Sequence, residues 1–108
     1  MTTFEERQDL FEKRFAHDQA LQFKAEARRA RLFGAWVAER LGLEGEEAKT
    51  YAGDVVVSDL KAAGPGDMLR KVTSDLEAKG IGVPEAELND MLENLLTEAR
   101  KQVAQEAG

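Results

Sequence analysis

Three glycine-bearing breaks, Gly42-Leu43, Gly64-Pro65-Gly66 and Gly80-Ile81, divide this chain into four stretches whose apolar residues recur at spacings of three and four. That repeat draws one apolar stripe along a helix, and helices joined by loops this short pack as neighbours. The expected architecture is therefore all-α, a small four-helix bundle with no sheet. The first helix is read from about His17 to Leu41, with Phe23, Ala27, Ala30, Gly34, Val37 and Leu41 on its face and Leu32, Phe33 and Trp36 widening it. The second starts near Glu46 and uses Ala48, Tyr51, Ala52, Val55, Val56 and Leu60. Its Val55-Val56-Val57 run has strand-like composition but no alternation, and it sits inside a helical repeat, so helix is predicted. Asp67 is placed as the cap of a shorter third helix that buries Leu69, Val72 and Leu76. Pro84 suits the first turn of the fourth. That helix presents Leu88, Leu92, Leu95, Ala99 and Val103, with Glu85 and Glu87 early and Arg100 and Lys101 late, as the helix dipole favours. Gly42 before Leu43, and Gly80 before Ile81, read as left-handed glycine caps followed by a folded-back apolar residue.

With 108 residues and 43% hydrophobic content the chain suits one domain with a single small core. It has no cysteine, which removes disulfides, thiolate nucleophiles and the common zinc-finger patterns. No apolar run approaches the ~20 residues needed to cross a bilayer, and Met1 to Glu6 lacks the character of a signal peptide, so a cytoplasmic protein without membrane insertion is expected. Of 15 basic and 21 acidic residues, 7 and 6 fall within residues 1–31, leaving 8 and 15 for the rest. An acidic body of that kind repels phosphate backbones, and the basic cluster Arg28, Arg29, Arg31 is short, which argues against nucleic-acid binding.

Catalytic constellations are missing from the sequence. His17 is the single histidine, and its neighbour Asp18 points elsewhere on a helix. Ser58 and Ser74 have no histidine that the sequence can assign to them. Glu44, Glu46 and Glu47 lack the spacing of a calcium loop and suit a helix start, and neither glycine-rich segment carries the lysine and hydroxyl of a phosphate loop. The chain is read as a binding protein and not an enzyme, with no cofactor and no metal.

Ahead of the bundle, Phe4, Phe11 and Phe15 are spaced by seven and four residues, with Leu10 nearby and Arg7 and Arg14 repeating beside them. On a helix these form one apolar stripe. Two destinations are open to it. It can pack in the protein's own core, as in a small helical adaptor or ligand-binding protein, or it can be carried to a groove on a partner. The partner-binding candidates are Phe4, Arg7, Leu10, Phe11, Arg14 and Phe15, in a segment of residues 1–18 ahead of a bundle of residues 19–108. That segment is expected to be either mobile or an extension of the first helix.

The stretch Phe11-Glu12-Lys13-Arg14-Phe15-Ala16-His17-Asp18, followed by Phe23-Lys24, Ala27-Arg28-Arg29, Gly34, Trp36, Ala38-Glu39 and Leu41-Gly42, resembles the zeta subunit of alphaproteobacterial F-type ATP synthases, a small inhibitor protein. The resemblance is specific in the front half and looser towards the C-terminus. It implies a four-helix bundle bearing an N-terminal inhibitory segment that wedges between the α, β and γ subunits of the catalytic head. The wedge stops rotation in the hydrolysis direction and is expelled during synthesis. The resemblance also allows weak nucleotide binding on the bundle, for which no motif in this sequence marks a place.

Overall fold

The computed structural model describes residues 4–61 and 64–107; within residues 4–16 only the side chains of Arg7 and Lys13 are described. Four helices follow in chain order: α1 (Phe4–Arg40), α2 (Gly45–Leu60), α3 (Gly66–Ala78) and α4 (Glu85–Ala107). Among the described residues there is no strand. The expected all-α bundle is the observed fold.

The α1 helix begins at Phe4, so the segment ahead of His17 is an extension of the first helix, one of its two expected states. No glycine or proline interrupts the sequence before Gly34, and residues 4–16 are mostly strong helix formers, so nothing local stops the helix from running on. At its other end, Gly42 at φ +78° closes α1, with the Leu43 amide donating to Ala38 and the Gly42 amide to Glu39. The same pair of bonds recurs at Gly80 (φ +71°), where Ile81 donates to Leu76 and Gly80 to Glu77. Both are Schellman endings, as the glycine-then-apolar pattern predicts.

Both α2 and α4 run antiparallel to α1. A Cβ placed on Gly34 would meet the Ala52 Cα at 2.8 Å, so the backbones of α1 and α2 approach closely at this point. Along the α4 side, Arg40 lies 3.7 Å from Glu87 at one end. Near the other end Arg28 donates to Gln102 at 2.8 Å and to Glu106 at 2.9 Å. The core between the helices contains Ala30, Phe33 and Val37 from α1, Val55 from α2, Met68, Val72 and Leu76 from α3, and Leu88 and Leu92 from α4. Ala99 and Val103 are buried further along α4. No buried polar residue interrupts this interior among the described residues.

Three local expectations are corrected. Phe23 and Leu60, placed on buried faces, are 57% and 55% exposed. Asp67 caps nothing: α3 begins at Gly66 after Pro65, without a side-chain cap bond, and Asp67 instead pairs with Arg70 one turn on. Met68 is fully buried on α3, whereas Leu69, expected there, is half-buried.

A polar latch ties α2 to α3. The Tyr51 hydroxyl donates to Asp75 at 2.8 Å, and Lys71 donates to the same carboxylate oxygen at 3.1 Å with its ammonium 5.1 Å from the centre of the tyrosine ring. Burial, reinforced by the bond to Asp75, pushes the Tyr51 phenol well above its ordinary value. The unfolded chain therefore releases this proton first, and folded stability falls as the pH rises beyond about 10. Tyr51→Phe is expected to lose about 1 kcal/mol at neutral pH and to show a shallower alkaline loss than the parent, measured by urea unfolding across pH 7 to 11.

Candidate protein-binding site

The feature that organises the surface is the length of α1. Gly34 lies against Ala52, so in an antiparallel pair Leu60, eight residues on, comes level with Glu26, and α2 ends there. The α4 helix reaches further, placing Arg100, Val103 and Ala104 around Leu21 and Ala25 before it ends at Ala107. Ala25 is the first buried residue of α1 among those described, and Leu21 is half-buried. Before Leu21 every described side chain is exposed: Arg7, Lys13, His17, Asp18, Gln19 and Ala20. Residues 4–20 therefore extend from the bundle as helix for roughly 25 Å at 1.5 Å per residue, within a molecule 65 Å long and 25 Å by 21 Å across.

Among the predicted site residues, Arg7 is on this extension and exposed. The backbone positions of Phe4, Leu10, Phe11, Arg14 and Phe15 are on it too, but their side chains lie outside the described residues. All six thus belong to one continuous helix.

Sequence reasoning passed over the surface at the root of the extension. Phe23 and Leu60 flank an open notch of about 190 Å³ whose other walls are Glu26, Ala27, Arg29, Asp59 and Gly64. The Arg29 Nε is buried without an acceptor among the described residues. Burial raises the Asp59 carboxyl above its ordinary value, against the opposing pull of Arg29 and with a further push from Glu26. Phe23 sits on the apolar repeat of α1, so the repeat alone marks it as core. The signal that was available is length: α2 is too short to reach it.

A second hollow, between α3 and α4, is lined by Leu69, Arg70, Thr73, Ser74, Glu77 and Val83 among others, and is open to solvent. No group of three or more metal-ligating side chains gathers anywhere among the described residues. No described helix is long and apolar enough to cross a membrane.

A small all-α protein that holds a long helical arm clear of its core belongs to the class of helical binding modules. The chain belongs to the ATPase inhibitor subunit zeta family, whose sequence profile matches residues 1–102. A structure solved by solution NMR is 49% identical to it, covers 80% of this chain and 98% of its own, and superposes with a TM-score of 0.70. No curated protein matches the chain. Family membership makes the chain an inhibitor subunit that associates with an ATP synthase.

Proposed function

We propose that the chain inhibits ATP hydrolysis by F-type ATP synthase by inserting the N-terminal part of α1 into a catalytic α/β/γ interface of the head, on its cytoplasmic face. The observation that carries this reading is that α1 stands clear of the bundle through residues 4–20. Position 15 precedes the buried Phe33 by eighteen residues, which is five whole helical turns, so it falls on the line of α1 that the bundle covers further along. Positions 11 and 4 follow the same line to within a small angle. Ahead of Leu21, α2 has already ended and α4 has only its last turn left, from Ala104 to Ala107. A groove between two partner elements would take over their role and enclose three phenylalanines, with Arg7 and Arg14 as forks at its edge.

A segment that is already helical enters such a groove with less of the backbone ordering cost of roughly 1–2 kcal/mol per residue. Inhibition then depends on the partner. A catalytic interface that closes around the helix at one rotational stage and opens at another binds it differentially, which traps one state of the motor. Residues 1–18 act as the wedge and residues 19–108 as its carrier. Neither role calls on a catalytic group, a metal or a cofactor of this chain.

The test is ATP hydrolysis by the cognate ATPase, with and without the protein, across an alanine scan from Thr2 to Asp18. Phe11→Ala and Phe15→Ala are each expected to weaken inhibition by about 2–4 kcal/mol, or at least roughly 30-fold, while Glu12→Ala costs far less. Sensitivity should recur every three to four residues, as a bound helix requires. Flat sensitivity, or losses that follow melting temperature, would remove support for the wedge.

A further inference from the structure

The described residues include three large hydrophobic side chains that stand exposed, Phe23, Val57 and Leu60. They share one flank. Val57 and Leu60 are three residues apart on α2 and so face the same way, and Phe23 meets Leu60 across the notch that also exposes Arg29. On the other side of Phe23, Val56 and the cations Lys24, Arg28 and Arg31 bound a broader hollow of about 540 Å³. The margin of the flank is mixed in charge, with Lys24, Arg28, Arg29 and Arg31 set among Glu26, Asp59 and Glu106 and with Arg28 already paired to Glu106, so the exposed apolar side chains are what it offers a partner.

Position decides which partner is meant. Phe23 is five residues beyond Asp18 on the same helix, about 8 Å along its axis. Any groove that encloses α1 up to residue 18 brings its rim against this flank. We infer that Phe23, Val57 and Leu60 form a second docking surface for the same ATPase, whose groove rim places an apolar side chain between Phe23 and Leu60. This inference rests on the inhibitory reading given above. It separates two tasks: the free helix stops the motor, and the flank holds the helix in place by slowing its departure.

The experiment measures binding of the full chain to the purified ATPase head, alongside hydrolysis, for the parent, Phe23→Ala/Leu60→Ala, Leu60→Gln and Phe11→Ala. The double variant is expected to bind at least tenfold more weakly, mainly through faster dissociation, with an unchanged melting temperature and complete inhibition at saturating protein. Leu60→Gln should follow in the same direction, and its exposed position guards against a folding artefact. Affinity of the double variant within twofold of the parent would overturn the inference. So would parent-only self-association in sedimentation with ATPase binding alike in both, since the flank would then serve a second copy. A parent that binds the head without slowing hydrolysis removes the inhibitory reading, yet the affinity comparison still decides the flank. A parent that does not bind the head overturns both.

Discussion

A chain beginning at His17 is expected to unfold as cooperatively as the full protein and to leave ATP hydrolysis uninhibited at concentrations a hundredfold above those at which the full protein acts. The first half of that expectation follows from burial. The described core starts at Ala25, both Schellman endings lie further on, and no described side chain ahead of Leu21 is even half-buried. The second half follows from assigning the wedge to the helix that has been removed. Residual binding to the head should survive through the flank around Phe23. A peptide of residues 1–18 should inhibit more weakly than the whole protein, because it lacks the effective concentration that a docked bundle gives its own arm and because an isolated helix of that length is marginal in water. Thermal melts and hydrolysis assays on the same samples check both halves. Undiminished inhibition by the shortened chain, or a lost cooperative transition, would contradict the division of labour proposed here.

Gly34→Leu is expected to be the most destabilising single substitution in the bundle. A Cβ at this position would lie 2.8 Å from the Ala52 Cα, 3.3 Å from its carbonyl oxygen and 3.1 Å from the Val55 Cβ. Two of those three atoms are backbone and cannot swing away, so α1 and α2 would have to separate at this contact. Alanine here should lose about 1–2 kcal/mol, since overpacking of about 1–3 kcal/mol is partly offset by the better helix propensity. Leucine should lose about 3 kcal/mol or more, which in a domain of this size lowers Tm by more than about 10 °C. Gly53 on α2 supplies the control. Nothing lies within 4 Å of the corresponding Cβ, so Gly53→Ala should stabilise by up to about 1 kcal/mol. Equal melting temperatures for the two alanine variants would show that the close approach carries no stability.

What the sequence discloses about this protein is what local chemistry determines. A glycine followed by an apolar residue specifies a helix ending through its own backbone bonds, and Gly42-Leu43 and Gly80-Ile81 both form them. The valine triplet is helical because its repeat matches its neighbours, with Val55 buried and Val57 exposed as one turn requires. The misplaced residues depend instead on what lies across from them. Phe23 keeps the spacing of a core residue but sits beyond the end of α2, and Leu60 is α2's last residue. Met68 is buried ahead of Leu69 because α3 starts at Gly66, which sets the face that α3 turns inward. The period of the stripe from Phe4 to Phe15 left two states open, a mobile segment or an extension of the first helix, and the structure has the extension. The candidate site was legible as a stripe in sequence, from Phe4 to Phe15. Its root at Phe23, Arg29 and Leu60 was not, because it joins residues more than thirty positions apart.

The unbroken course of α1 also fixes an angle. From the packed seam at Phe33 to Phe4 the helix contains neither glycine nor proline, so the facing of its free end is inherited from the way the bundle grips its other end. One residue added between Ala20 and Leu21 would swing everything ahead of it by about 100°, pointing the stripe away from where the bundle aims it. Seven added residues would restore the facing to within about 20° while lengthening the reach by about 10 Å. Bundle and arm thus work like the bow and blade of a key, in which length can vary only in steps that return the cut edge to the same side.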